Sequence, residues 1–173
     1  MKYLLTDRAK KHVEGHFAQN AKSGSIFRPD YFPTIESLLI YILDFEPIRE
    51  IIQSEYSVAH LYEINAIEYV GWEGVGKMSD YPKVKVQEEN RNGHMTRFIE
   101  IAELPTTKFV NIVFNYGLNG MIDMELITVF PGMYAPAFPS TSMTKDDFQI
   151  ASEFWDEHIL LKKESGLNNT NIL

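Results

Sequence analysis

The sequence predicts an α+β fold in which N-terminal helices are followed by a four- to five-stranded antiparallel sheet and a C-terminal helix. Three observations predict it. An apolar stripe repeats every four residues near the start, polar and apolar residues alternate through the middle, and helical spacing returns after residue 144. Helices and strands that are segregated along a chain are typical of α+β proteins.

The first part of the chain predicts helices. A candidate N-cap, Thr6, stands beside the apolar stripe, so we expect a helix over residues 6–22. The stripe consists of Leu5, Ala9, Val13 and Phe17. A second helix is predicted over 34–45, and a short one follows Pro47 and runs to residue 54.

The middle of the chain predicts strands, over 57–70, 83–88, 94–104, 108–116 and 121–130. In the last strand, Thr128 is expected to share one face with Ile122, Met124, Leu126 and Phe130. The segments 117–120 and 91–93 predict hairpin turns. A final helix is predicted to begin at Thr144, with Asp147 completing a capping-box variant, and to run to residue 163.

Composition bounds the class of protein. The chain has 173 residues, of which 45% are hydrophobic and 23% charged, as in ordinary globular proteins. We expect one α+β domain over 1–163 and a flexible tail over 164–173. The absence of cysteine excludes disulfides, thiolate metal sites and cysteine nucleophiles. No apolar run reaches the roughly 18 residues of a membrane span, and the first five residues are too short for a secretory signal. A soluble, cytoplasmic protein without a membrane partner is therefore expected.

The net charge of −8 opposes broad binding to nucleic acid, but the basic residues are concentrated in two segments. Residues 1–28 hold six basic and two acidic side chains, and residues 77–97 hold five basic and three acidic ones. These segments could form one positive cleft. Alternatively, they are solvated charges on a helix and a hairpin.

The first predicted helix carries Arg8, His12 and His16 at a spacing of four residues, which places them along one side of the helix. Both imidazoles border the apolar stripe, and histidine can act as a general acid or base near neutral pH. The alternative is a half-buried histidine bonded to a carbonyl. The spacing also suits two metal ligands, with a third from His60, His94 or a carboxylate, but we predict no metal.

Cationic and hydroxyl side chains on the predicted strands are the other candidates. Lys83 and Lys85 would project from one face, and Arg97 shares an otherwise apolar face, where it needs an acceptor such as Glu103, another carboxylate or a phosphate. Thr128 could donate to a phosphate oxygen or bond to the neighbouring backbone. The glycine-rich segment Gly71–Gly76 predicts a hairpin tip or strand junction, because no helix follows it as in a phosphate loop.

The order of these pieces resembles a known layout over residues 4–132. The segment Leu5–His16, the basic Lys83-Val84-Lys85 and the run Ile127-Thr128-Val129-Phe130-Pro131-Gly132 look like parts of the toxin-type ribonucleases grouped with barnase, EndoU, colicins and RelE, the BECR superfamily. The resemblance implies an endoribonuclease that needs no metal or cofactor. Its active-site roles would fall to His12 or His16, to Lys85 or Arg97, and to Thr128. We therefore predict catalysis by His12, His16, Arg97 and Thr128, and RNA binding by Arg8, Lys83, Lys85 and Tyr134.

A different class remains open from the sequence. An acidic chain of 20.0 kDa with an aromatic, proline-bearing loop over 130–138 also suits a non-catalytic immunity-like or antitoxin-like protein that binds a basic toxin. A phage-related binding protein that reuses the fold is a third hypothesis. If the protein is a ribonuclease, a cognate immunity or antitoxin protein is its expected partner.

Overall fold

The structure, a computed structural model, describes residues 3–17, 24–43, 58–64, 67–91, 94–116 and 124–164. The helices in these ranges are α1 (Asp7–Glu14), α2 (Ile35–Leu43) and α3 (Lys145–Glu157), with a 3₁₀ turn at Met78–Asp80. The strands are β1 (Tyr3–Leu5), β2 (Ile26–Phe27), β3 (Val58–Glu63), β4 (Gly71–Trp72), β5 (Val75–Lys77), β6 (Gln87–Arg91), β7 (His94–Ile101), β8 (Thr106–Thr107), β9 (Phe109–Tyr116), β10 (Met124–Pro131) and β11 (His158–Lys163). The prediction of a mixed α+β fold is confirmed.

Helix α1 begins where the sequence predicts, because the Thr6 side chain accepts a hydrogen bond from the Ala9 amide at 3.2 Å. It ends at Glu14 rather than near residue 22. After Glu14, the amides of His16 and Phe17 bond to carbonyls three residues back, at 2.9 and 3.2 Å, which tightens the chain into a turn. Residues 18–23 lie outside the described residues.

The first sheet has the strand order β1-β10-β9-β3. Strand β1 runs parallel to β10, with Leu5 opposite Leu126, whereas β9 pairs antiparallel with both β10 and β3. Helices α1 and α2 pack on one face of this sheet and enclose the largest apolar cluster. This cluster contains Val13, Phe17, Phe27, Phe32, Leu38, Leu39, Val110, Ile112, Phe114, Leu126 and Val129 among its buried members.

The second sheet has the order β5-β11-β7-β6, with β11 parallel to β7 and antiparallel to β5. A small third sheet, β2-β4-β8, closes a second apolar cluster against it. The strands are therefore distributed over three sheets, and two of the pairings are parallel, in contrast to the single antiparallel sheet expected. The predicted turn at 91–93 includes Arg91, which is the last residue of β6, while its residues 92–93 lie outside the described residues. The predicted turn at 117–120 and the short helix after Pro47 also lie outside them.

The last predicted helix is wrong over its final six residues. Helix α3 begins with the expected cap, in which Thr144 accepts from the Asp147 amide at 3.2 Å, but it ends at Glu157, and residues 158–163 form β11. The reason is burial on both sides of the chain. Ile159 and Leu161 face the second cluster, while Leu160 packs with Phe98 on the opposite face. A run buried on both faces is typical of a central strand that has a parallel neighbour.

The predicted strand at 83–88 is also shifted, because β6 begins only at Gln87. Lys83 and Lys85 are exposed residues of the connection before it, so they do not project from a strand. None of the helices in the described ranges has the length and apolarity needed to cross a membrane.

Glycines lie where the sheets meet, and Gly71–Gly76 forms a strand junction, one of the two expected alternatives. A Cβ atom added to Gly74 would lie 2.5 Å from the Ser25 backbone nitrogen, and one added to Gly24 would collide with the Leu161 carbonyl. Gly132, which follows β10, has a φ of +98°, a conformation that side chains other than glycine's rarely adopt.

We expect Gly74→Ala to lower the free energy of unfolding by about 1–3 kcal/mol, since the added methyl forces two backbones apart. Urea unfolding followed by circular dichroism measures this change. Ser79→Ala, an exposed substitution in the neighbouring 3₁₀ turn, is the control and should be nearly neutral. Equal stabilities of the two variants would contradict the tight junction.

Candidate active site

Helix α1 carries Arg8 and His12 along one side, and the turn that follows it places His16 next to His12. Arg8 and His12 are exposed, whereas His16, just after the helix, is half-buried. The ring centroids of His12 and His16 are 5.4 Å apart in an edge-to-face arrangement of 76°. The structure therefore brings the two predicted imidazoles into contact, one facing solvent and one facing the protein.

His16 is held on three sides. Its Nδ1 lies 2.9 Å from the Ser25 carbonyl oxygen, and its ring stacks on Phe130 with centroids 5.6 Å apart. His12 occupies the third side. Because a carbonyl oxygen only accepts hydrogen bonds, Nδ1 carries the proton in the neutral ring, and Nε2 keeps the lone pair that can accept a proton.

The environment keeps His16 uncharged. Burial lowers its pKa from 6.5 to about 4; the hydrogen bond to Ser25 opposes this shift, and the charge of His12 adds to it. The imidazole is therefore neutral at physiological pH, and protonation of His12 makes protonation of His16 still harder. The two rings form a pair that does not readily carry two charges at once.

Strand β10 carries Thr128 two residues before Phe130, the ring that stacks on His16, but not on the face that the sequence predicts. The register shifts between Leu126 and Thr128, which oppose the adjacent residues Phe114 and Val113. Ile127 is thus the extra residue of a bulge, and the expectation that Thr128 shares the face of Leu126 is wrong, because one inserted residue reverses the alternation. Thr128 does share its face with Phe130, the ring that stacks on His16.

Two buried polar atoms near Phe130 have no hydrogen-bond partner in the described part of the chain: Thr128 Oγ1 and Asn111 Oδ1. Asn111 lies opposite Phe130 across the β9–β10 ladder, and its Nδ2 donates to the Gly132 carbonyl at 2.5 Å. Unsatisfied buried groups are rare in folded proteins and commonly mark strain or a functional site. Both atoms lie on the sheet face of Phe130, opposite the face on which Leu126 and Val129 pack with helix α1.

Arg97 is not brought to the histidines by any contact among the described residues. It lies on β7 in the second sheet, and its guanidinium donates to the Trp155 carbonyl near the end of α3. Its expected acceptors were Glu103, another carboxylate or a phosphate. A helix C-terminus supplies the acceptor instead, because its last carbonyls lack intrahelical partners and carry partial negative charge.

The remaining predicted binding residues are spread over the molecule. Lys83 and Lys85 precede β6 in the second sheet, and Tyr134, which is 48% exposed, follows β10 after Gly132. Among the described residues, no group of three His, Cys, Asp or Glu side chains is placed to hold a metal ion. Of the two histidines considered as third ligands, His94 is exposed on β7, and the side chain of His60 lies outside the description.

Sequence reasoning missed three residues of the site: Ser25, Phe130 as the stacking partner, and Asn111. Ser25 lies in the segment Ser23-Gly24-Ser25, whose composition predicts only the end of a helix. Asn111 gave a usable signal, since an amide inside the apolar alternation of 108–116 must find a partner once it is buried.

Comparisons of the chain with models of protein families, with curated proteins and with solved structures find no match. The resemblance to the BECR ribonucleases stays a prediction.

We expect the free energy of unfolding to fall as the pH is lowered from about 6.5 to about 4 through His16. Its pKa is lower in the folded state, so the unfolded chain binds the proton more tightly and the stability present above pH 6.5 is lost below it. The loss approaches roughly 3 kcal/mol at the acid end of this window.

Urea unfolding at a series of pH values measures the effect. His16→Gln should remove most of the pH dependence in this window, while His94→Gln, an exposed histidine in the other sheet, should leave it unchanged. Identical pH profiles for His16→Gln and the native chain would show that His16 is not buried neutral.

Proposed function

We propose that the protein is a metal-independent endoribonuclease of the toxin type, which cleaves RNA by attack of a ribose 2′-hydroxyl on the adjacent phosphorus. The single observation that carries the proposal is the contact between His12 and His16, one exposed and one fixed and neutral, with Arg8 one helical turn away. RNA as substrate and action in the cytoplasm are part of this proposal.

His16 is the proposed general base. Its Nε2 lone pair accepts the proton of the 2′-hydroxyl, while Nδ1 keeps its proton and donates a hydrogen bond to the Ser25 carbonyl oxygen. A pKa of about 4 makes the imidazole a weak base but keeps all of it in the accepting form at neutral pH. Phe130 and Ser25 fix the plane of the ring, so the base needs little reorganisation when substrate binds.

His12 is the proposed general acid, and Arg8 the proposed phosphate contact. As the 2′-oxygen forms its bond to phosphorus, the bond from phosphorus to the 5′-oxygen breaks, and His12 protonates the departing oxygen. The products are a 2′,3′-cyclic phosphate and a free 5′-hydroxyl, and the two imidazoles then exchange protons with water. Arg8 is exposed on the same side of α1, so its charge can stabilise the phosphorane-like transition state.

Arg8 takes the role that the resemblance gives to Arg97, because Arg97 donates to the Trp155 carbonyl in the second sheet. Other basic residues of α1 strengthen the local field: Lys11 is exposed, and Lys10 is only loosely paired with Glu36 at 3.8 Å. Lys10 faces Glu36 of α2, on the side of α1 away from Arg8 and His12, so its charge acts on the histidine pair only from a distance.

We expect His12→Gln to reduce RNA cleavage in the presence of EDTA by about 10²–10⁴-fold, the usual contribution of one proton-transfer group. A fluorogenic RNA with a single cleavable linkage measures the rate. His94→Gln makes the same chemical change at an exposed histidine of β7 and should retain full activity. The ribonuclease proposal fails if the native chain does not cleave RNA, or if both variants are equally active.

The pH dependence of cleavage tests which imidazole is the base. A general base acts in its neutral form, so on the acid side of the profile log kcat/KM should fall only below about pH 4, the pKa of His16. Circular dichroism at each pH corrects the rate for the fraction of folded protein. An acid limb near neutral pH would contradict His16 as the base.

A non-catalytic partner protein, immunity-like, antitoxin-like or phage-related, is the second candidate. It is favoured by exposed apolar side chains in an acidic chain: Tyr134 after β10, and Phe148 and Ile150 on α3, the last 62% exposed. Expression of the chain alone separates the two functions. A ribonuclease should arrest growth, with relief by His12→Gln, whereas a neutralising partner should be harmless.

A further inference from the structure

A cavity lies away from the histidines, at the open end of the apolar cluster between the second and third sheets. Its volume is about 480 Å³, within the range of sites for small molecules. The lining combines apolar and charged side chains: Ile26, Trp72, Glu103, Leu104, Thr106 and Lys163. None of these residues contributes to the histidine site.

The floor of the cavity is a row of side chains across the small sheet. Ile26 is directly opposite Trp72 in the β2–β4 pair, and Trp72 is directly opposite Thr106 in the β4–β8 pair. Behind them, Leu104 is buried in the second cluster. The floor is therefore apolar and rigidly held, with one hydroxyl at its end.

Two opposite charges stand at the rim. Lys163 is the last residue of β11, opposite Ile101, and Glu103 follows Ile101 by two residues. The Glu164 amide donates to the Ile101 carbonyl at 3.0 Å, which fixes the two backbones side by side. Both charged side chains are exposed and line the cavity, yet no ion pair joins them within the described residues.

We propose that this cavity binds a free α-amino acid with a large apolar side chain. The apolar side chain of such a ligand would lie against Trp72 and Leu104, its carboxylate would meet the Lys163 ammonium, and its ammonium group would meet Glu103. A ligand with a single charge would satisfy only one side of the rim and would bring its charge close to a group of like sign. Charge complementarity therefore selects a zwitterion.

Isothermal titration of the full chain with L-phenylalanine tests the proposal. Binding is expected, with at least about tenfold weaker binding of 3-phenylpropionate, which lacks the ammonium group, and of phenethylamine, which lacks the carboxylate. A nucleoside monophosphate should not compete. No heat of binding up to the solubility limit, equal binding of the singly charged analogues, or preferential binding of the nucleotide would each overturn the proposal.

Variants assign the two charges. Lys163→Met and Glu103→Gln should each weaken L-phenylalanine binding by about tenfold or more, while Lys83→Met and Glu88→Gln, exposed residues outside the cavity lining, should not. Both rim residues are exposed, so the variants are expected to fold, and urea unfolding checks this. Unchanged affinity in a folded rim variant would contradict the assignment. RNA cleavage is measured separately and does not enter this test.

Discussion

Ser25 contacts three other parts of the chain, and at one of them, Gly74, the backbones are too close to admit a side chain. Its carbonyl oxygen accepts a hydrogen bond from His16 Nδ1, and its hydroxyl donates to the Pro131 carbonyl at the end of β10. Its backbone nitrogen would lie 2.5 Å from a Cβ atom added to Gly74. Only glycine at position 74 permits this approach. The orientation of the imidazole therefore depends on how the first and third sheets meet, and not on helix α1 alone.

The contacts around His16 also determine the chemistry of the histidine pair. Holding His16 between Ser25, Phe130 and His12 removes most of its water, and this lowers its pKa to about 4. A ring so constrained is uncharged at neutral pH, so the two imidazoles have different properties although both side chains are histidines. Burial of His16 also destabilises the fold at acid pH, whereas a side chain that does not titrate would not have this effect at position 16.

Local sequence patterns predicted those features of the fold that depend on neighbouring residues. The caps at Thr6 and Thr144 and the alternation of β7, β9 and β10 were readable, as was the spacing that brings His12 to His16. Strand pairing is non-local, so the parallel pairs β1–β10 and β7–β11 could not be predicted from local sequence patterns. Ile159 fits both the helical repeat of α3 and the alternation of β11, and only burial on both faces decides for the strand. The bulge at Ile127 leaves no mark in the pattern, yet it moves Thr128 and Phe130 away from the face of Leu126.

The two arginines show why a residue type in the right pattern does not identify a phosphate contact. Arg97 shares an apolar face, which correctly predicts that its guanidinium needs an acceptor, but the fold supplies one from the end of α3. A guanidinium N–H that donates to the Trp155 carbonyl oxygen cannot also bind a substrate, and breaking this hydrogen bond would leave that oxygen unpaired. Arg8 has no such partner among the described residues and is exposed on the side of α1 that carries both imidazoles. Of the two cations, only Arg8 can meet a phosphate at the histidine pair without breaking a contact of the folded chain.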